Sequence, residues 1–401
     1  MVRKQRWWLT LLLFGLMASG NAVVTRAQDE AKPEAKAEEK PAAEKPAEEK
    51  PAEEKKAEEK PAADKPAEEK KPEEKPAEEK PAAPAGPAFT EEVIHLDNPS
   101  GVTVHPETGH VFIASKQGIF RYGPGKPKKI WLEVDSFPTD IYGKGPMYDI
   151  GPLGVALWGA DRLIVADGSR KDGEELVRVY KIDAAPPAGK PKNEGEAEFT
   201  LGPVAPGDLS PKGEGNYYGV AVFKDAIYVT SNGDDTKGWI AKSAVVDGKP
   251  GPLTPTIATK EATEVDAPIA ITVTPDGEQL VVGQGGEVNQ PGDSLLTMYD
   301  AEGKLTKKFT TGLHDICGLA YSPKTGKLYA VDFAWADTTQ GGLFELAIEG
   351  ETCKATKILP FDRPTSLAFD KEGGLYVTVF GTGKDTGEKP KGGVMRVEPG
   401  L

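Results

Sequence analysis

Gly318-Leu319-Ala320-Tyr321-Ser322-Pro323-Lys324-Thr325-Gly326-Lys327-Leu328-Tyr329-Ala330-Val331-Asp332 reads as two short strands joined by a tight turn. In the first half large apolar side chains alternate with smaller ones, the period-two pattern of a strand. Pro323 presets φ inside the turn and Gly326 supplies the positive φ that ends it. The small residue at position 318 lets a neighbouring backbone come close.

The same pattern recurs at intervals of about fifty residues, a spacing that points to propellers or solenoids. Its other copies begin Gly101-Val102-Thr103-Val104, Gly154-Val155-Ala156-Leu157, Gly219-Val220-Ala221-Val222, Ala270-Ile271-Thr272-Val273 and Ser366-Leu367-Ala368-Phe369. A second strand follows each, as at Val111-Phe112-Ile113-Ala114 and Leu375-Tyr376-Val377-Thr378. Third strands are expected at 118–122, 176–182, 239–246, 294–299, 342–348 and 393–397. Fourth strands are expected at 129–134, 197–201, 255–258, 306–310 and 355–359. The sixth repeat therefore lacks an outer strand, and Glu91-Glu92-Val93-Ile94-His95 lacks a partner. Pairing the two closes a ring and removes an open edge. The expected fold is all-β: a six-bladed β-propeller over 88–401 whose N-terminal strand completes the last blade.

Two segments precede the ring. Arg3, Lys4 and Arg6, then the apolar run from Trp7 to Met17, then small residues ending at Thr25-Arg26-Ala27, have the order of a signal peptide over 1–27. Retained, the segment would instead be a short membrane anchor; cleaved, the mature chain has no membrane span. Residues 28–87 repeat Pro-Ala-Glu-Glu-Lys and offer almost no apolar side chain larger than Ala. Such a stretch cannot bury enough surface to offset chain entropy, and its prolines interrupt helix, so a disordered linker is expected. The location is thus expected to be extracytoplasmic: secreted, periplasmic or cell-surface. With a formal net charge of −14 the protein should repel phosphate backbones, which argues against nucleic acid as a partner.

The two cysteines belong to one repeat, Cys317 by its innermost strand and Cys353 on its outermost. Three strand spacings, roughly 14 Å, separate those positions, too far for a disulfide, so two buried, inert thiols are expected.

In a propeller, the connections entering the innermost strands open on one face around a central channel. Asp97-Asn98, Asp149, Glu214 with Asn216, Asp266, His314-Asp315 and Asp362-Arg363 stand before the six inner strands. Ser115, Asp167, Ser231-Asn232, Gln284 and Asp332 end the second strands, and Phe380 alone breaks this polar series. Two readings fit. The acids bond their own turns, as Asp and Asn commonly do. Or their oxygens converge on a ligand, with Asp149, Asp266, Asp315 and Asp362 holding Ca²⁺ or another divalent cation. The ligand-binding set expected on this face is Asp149, Asp167, Asn232, Asp266, His314, Asp315, Asp332, Asp362 and Arg363. His95, His105 and His110 fall on an outer strand or the opposite face. Asn232-Gly233-Asp234-Asp235 lacks the spacing and closing Glu of a helix–loop–helix calcium site. Gly283-Gln284-Gly285-Gly286 precedes no helix and cannot cradle a dinucleotide.

The repeats, above all 318–332, resemble those of NHL-type propellers and the senescence-marker/gluconolactonase family. The resemblance spans roughly 91–401 and implies the fold. That family holds a metal through a Glu, an Asn and an Asp near the channel, the Asn in a Pro-Asn-Gly. Here the matching positions read Ala267-Pro268-Ile269 or Asp315-Ile316-Cys317, and Asp97 or Asn98 stands for the Glu, so the catalytic set is not carried over. Thr311-Gly312-Leu313 with Gly318-Leu319-Ala320 is also similar to soluble quinoprotein sugar dehydrogenases, with His314-Asp315 where those have Arg-Asn. The expected function is binding of a small molecule, glycan or cell-surface protein on the acidic channel face. The alternative is a metal-dependent lactonase or other hydrolase.

Overall fold

The computed structural model describes residues 86–143, 145–233, 236–380 and 391–401; the signal-like segment and nearly all of the expected linker lie outside them. The described chain forms six sheets arranged as the blades of a propeller, antiparallel except where Lys192–Asn193 adds a short parallel edge to the first. Blade 1 runs outward through Gly101–Val104, Val111–Ser115, Gly118–Gly123 and Lys129–Asp135. Blade 2 comprises Pro152–Trp158, Arg162–Asp167, Val177–Lys181 and Phe199–Leu201, and blade 3 Val220–Phe223, Ala226–Thr230, Trp239–Val246 and Thr254–Ala258. Blade 4 comprises Pro268–Val273, Leu280–Gln284, Leu295–Tyr299 and Leu305–Thr310. Blade 5 comprises Ile316–Tyr321, Leu328–Asp332, Gly342–Glu349 and Thr352–Pro360.

Blade 6 is built from both ends of the ring. Pro364–Phe369, Leu375–Val379 and Gly392–Val397 come from the end of the chain, and Phe89–Leu96 pairs antiparallel with the last of them. Val93 and Leu96 of that closing strand are buried against Val102, Tyr122, Tyr376 and Val394, joining blade 6 to blade 1. Five further apolar clusters fill the other interfaces between consecutive blades.

The small residues that open the repeats sit where inner strands approach one another. A Cβ on Gly154 would fall 1.8 Å from the Tyr218 carbonyl oxygen, and one on Gly219 would fall 2.4 Å from that of Ile269. Only glycine admits the next blade's backbone at that distance.

The inner strands of blades 2, 4, 5 and 6 begin two residues earlier than the repeat pattern alone places them. Each has a bulge there, which leaves Leu153, Ile269, Cys317 and Thr365 unpaired. Three of these extensions open on proline, which has no N–H for the ladder, and a bulge re-aims the side chain it displaces. All four displaced side chains line the channel.

Both thiols are free. Cys317 is buried within the inner strand of blade 5, not ahead of it, and Cys353 is half-buried on the outer strand. His105 is buried in its turn, where Nδ1 accepts from the amides of Glu107 and Thr108 and the ring meets the Ala160 carbonyl.

Candidate functional site

The residue just before each repeat's small residue builds a collar inside the ring: Ser100, Leu153, Tyr218, Ile269, Cys317 and Thr365. Tyr218, the largest, crosses from blade 3 and donates its hydroxyl to the carbonyls of Thr365 at 3.0 Å and Ser100 at 3.3 Å. It lines both the chamber above the collar and the opposite mouth of the channel, so it forms the floor between them.

The roof is a segment the sequence reading left unassigned. Between blades 1 and 2, Asp140–Tyr142 pairs with Tyr148–Ile150 in a two-stranded hairpin. Its aromatic side chains reach over the ring to the far blades. Tyr148 lies edge-on to Phe333, Trp335 and Phe380, with ring centroids 6.3, 5.2 and 5.1 Å away. Asn232 of blade 3 donates to the Tyr142 hydroxyl at 2.7 Å, and Trp335 Nε1 donates to the Gly145 carbonyl at 3.3 Å. A Cβ on Gly143, whose φ is +130°, would fall 2.4 Å from the Pro146 carbonyl oxygen and 3.0 Å from the Trp335 ring. Phe380, the residue that interrupts the polar series, is where this hairpin docks.

Roof and floor enclose two connected spaces. The inner chamber, about 90 Å³, is walled by Ile150, Leu153, Ile269, Cys317, Phe333 and Phe380. The outer vestibule, about 410 Å³, carries Asp140, Lys171, Asp172, Asp266 and Glu287. Tyr142, Asn216, Asn232 and Asp315 line both.

The rim acids separate into two kinds when the repeats are aligned on their small residue. Asp97-Asn98-Pro99, Asp266-Ala267-Pro268 and Asp362-Arg363-Pro364 occupy equivalent positions, and the residue after each Asp has φ of +45°, +55° and +52°. These acids are parts of a recurring turn, and each has a resident cation. Lys116 bridges Asp97 at 2.9 Å and Asp149 at 3.4 Å, Lys260 meets Asp266 at 2.8 Å, and Arg363 meets Asp362 at 2.8 Å. Asp266 Oδ1 also accepts from the Ala267 amide at 2.7 Å.

Asp315 is out of step with them. It occupies the position of Asn98, Asn216, Ala267 and Arg363, one residue nearer the channel. It is 5% exposed. Oδ2 accepts from the Trp335 amide at 2.6 Å; among the described residues its carboxylate has no other hydrogen bond and no ion pair. Burial pushes its pKa up to about 7, the neighbouring Asp332 and Asp293 charges add to the rise, and the Trp335 amide opposes it. Deeper behind Asn216, Glu175 is fully buried and pushed up to about 9, by burial first, with Asp167, Asp172 and Asp140 contributing.

Of the nine residues expected to bind ligand, Asn232, Asp266 and Asp315 thus line the cavity. Asp167 does not: it is buried between Arg170 and Arg178 and accepts from the Ser169 amide at 2.9 Å. Asp332 is consumed by the backbone, accepting from the amides of His314, Asp315 and Ala334. His314, Asp149, Asp362 and Arg363 lie off the cavity walls. Of the four residues expected to hold a cation, only Asp266 and Asp315 share the vestibule. Among the described residues no group of three or more His, Cys, Asp or Glu side chains is gathered as a metal would require. The four acids expected to hold a cation are thus not brought together: Lys116 and Arg363 hold Asp149 and Asp362 at the rim, and Lys260 holds Asp266.

The aromatic wall of Tyr142, Tyr148, Phe333 and Trp335 escaped the sequence reading, as did Asp140, Asp172 and Glu287. The connections between blades 1 and 2 and between blades 2 and 3 are both long, so length alone did not single out the hairpin.

No protein-family model and no curated protein sequence matches the chain. Solved structures do match, at the level of the fold. A glucose dehydrogenase aligns with 14% identity and a TM-score of 0.52, covering 78% of this chain and all of that one. The PQQ-bound aldose sugar dehydrogenase of Streptomyces coelicolor aligns with 15% identity and a TM-score of 0.52, covering 79% and 100%. An oxidoreductase described as a glucose dehydrogenase, from Thermus thermophilus, aligns with 18% identity and a TM-score of 0.51, covering 78% and 100%. The chain is a six-bladed β-propeller of the architecture these sugar dehydrogenases share.

Proposed function

We propose that this propeller binds a small molecule in the cavity between the hairpin and blades 3 to 5. The observation that carries the reading is Asp315, a buried carboxylate that faces the cavity with one oxygen unbonded. That oxygen opens on the cavity, where a ligand donor can reach it, and a hydrogen bond to a charged group contributes about 1.5–3 kcal/mol. Asn216 and Asn232 offer amides beside it, and the aromatic wall offers apolar surface, the combination usual in small-molecule sites. A concave cavity of this size favours a small molecule over a glycan chain or a protein surface as the partner. We place the binding outside the cytoplasm, on the signal-like order of residues 1–27.

The alternative of lactone or other ester hydrolysis rests on the gluconolactonase-like repeats. It would need a metal that the rim acids do not jointly hold. The sugar dehydrogenase neighbours lend the fold and no residue of this site.

A chemically mixed fragment library tests the reading by thermal shift, with binding confirmed by quenching of Trp335 fluorescence against a Trp335→Phe control. Hits whose shift is lost in Trp335→Phe and Asp315→Asn support it. Hits indifferent to both substitutions, or an absence of hits, overturn it. Lactones turned over in the presence of Ca²⁺ would instead establish the hydrolase.

A further inference from the structure

The division of the cavity into an acidic vestibule and an apolar chamber, with Asp315 at the junction, narrows the ligand further. We infer that the site takes a compact organic cation, a protonated amine whose ammonium pairs with Asp315 and whose short apolar substituent fills the chamber. This rests on the reading of the cavity as a ligand site.

The charges around the cavity favour that sign. Asp140, Asp172, Asp266, Glu287 and Asp315 line the vestibule against Lys171. Lys260 already serves Asp266. Among the described residues Asp315 has neither a lysine nor an arginine partner, and Asp332 and Asp293 stand nearby. An anionic ligand would add one more like charge to this group. A neutral alcohol would satisfy the free oxygen but leave the charge uncompensated in a desolvated site. An ammonium does both, through a charge-assisted hydrogen bond.

The walls favour an organic cation over a bare ion. Calcium takes six to eight oxygens, and among the described residues no three His, Cys, Asp or Glu side chains are gathered to begin such a shell. Trp335 and Tyr142 instead present aromatic rings about the junction, 6.0 Å apart between centroids and nearly perpendicular. Aromatic ring faces attract an ammonium group that comes within about 6 Å of them. The chamber beyond is hydrocarbon and sulfur from Ile150, Leu153, Ile269, Cys317, Phe333 and Phe380. At about 90 Å³ it has room for several water molecules, each needing about 10–15 Å³ on the same measure. That admits a short alkyl substituent, whose reach Tyr218 limits from below.

Calorimetry on the full chain at pH 7.5 tests this with n-butylamine, n-butanol and butyrate, three probes of similar size and different charge. The expected order is butylamine, then butanol at least tenfold weaker, with butyrate undetected. Asp315→Asn should remove the preference of amine over alcohol, whereas Asp97→Asn, a rim acid off the cavity, should keep it. A homologous series from ethylamine to octylamine on the unaltered protein gives a second readout that needs no variant. Affinity should rise with chain length and then fall once the chamber is full. Equal binding of amine and alcohol, a better butyrate, or an amine preference that survives Asp315→Asn overturns the cation assignment and leaves the cavity a ligand site. A series that keeps tightening to octylamine overturns the role of the chamber. Calcium binding that depends on Asp315 and excludes butylamine overturns the proposal in favour of a metal. If no member of the panel or of the fragment library binds, both readings fall together.

Discussion

Replacing Leu96 by Ala removes the anchor by which the first strand of the ring closes the last blade. Leu96 is 4% exposed and packs with Val102, Tyr122, Tyr376 and Val394 across the joint between blades 6 and 1. Gly392 lies opposite it in the ladder, so no large side chain is available there to fill the space. Truncating a buried Leu costs about 2–5 kcal/mol, the upper part of the range applying where the site cannot collapse. For a ring of this size each kcal/mol lowers Tm by about 2 °C, so a fall of about 4–10 °C is expected. Ile94→Ala is the control. It lies in the same strand with the same backbone pairing, but Ile94 is 55% exposed and its truncation should move Tm by less than about 1 °C. Scanning calorimetry of the two variants decides the matter. Equal shifts, or a larger one for Ile94→Ala, would refute the burial of this strand's inner face and with it the closure of the ring.

Two further outcomes follow from burial. In the folded protein Asp315 titrates near 7 against an ordinary value of 3.8, so between those limits the native state holds a proton the unfolded chain has released. Stability should therefore fall as pH rises through that window, by about 1.4 kcal/mol per unit of displacement. Urea unfolding should find Asp315→Asn more stable than the parent at pH 8 and no longer so at pH 4, with Asp332, Asp293 and Glu287 common to both proteins. A difference that does not change with pH would count against the buried, unpaired carboxylate. Burial also pushes the Cys317 thiol well above its ordinary range and Cys353 up to about 11, so thiolate is scarce at pH 8. Native protein should resist a thiol reagent there and unfolded protein should release two thiols; rapid labelling of Cys317 in the native state would mean that the chamber opens freely.

The ring was legible because its information is local and repeated. Each copy carries its own alternation, turn proline and small residue, and the count of strands exposed the missing partner of 91–95. The rim acids were legible as a set but not by role. Aligning repeats on the small residue separates Asp97, Asp266 and Asp362, which share one turn position, from Asp315, which is displaced by one. A list of acids near inner strands hides that difference of a single residue. Lys116 comes from the turn after a second strand and Lys260 from the short helix Thr259–Thr263, neither of them marked by the repeat pattern. The roofing hairpin has strands of only three residues and no copy elsewhere, so nothing periodic announced it. Its partners, Trp335 and Phe380, lie about two hundred residues away in the chain. Phe380 was visible as an apolar residue in a polar series, and the docked Tyr148 is the reason for it.

Tyr218 gives the cavity one door. With its hydroxyl held by Ser100 and Thr365, the Tyr218 side chain spans the channel at that level among the described residues. Anything taken into the chamber must return past Tyr142 and Trp335 by the path it entered. Arrival and departure then share one bottleneck, and residence time becomes a property of the hairpin 140–150 as much as of the contacts inside. Loosening the Asn232–Tyr142 hydrogen bond, as in Tyr142→Phe, should speed association and dissociation together while leaving Kd nearly unchanged.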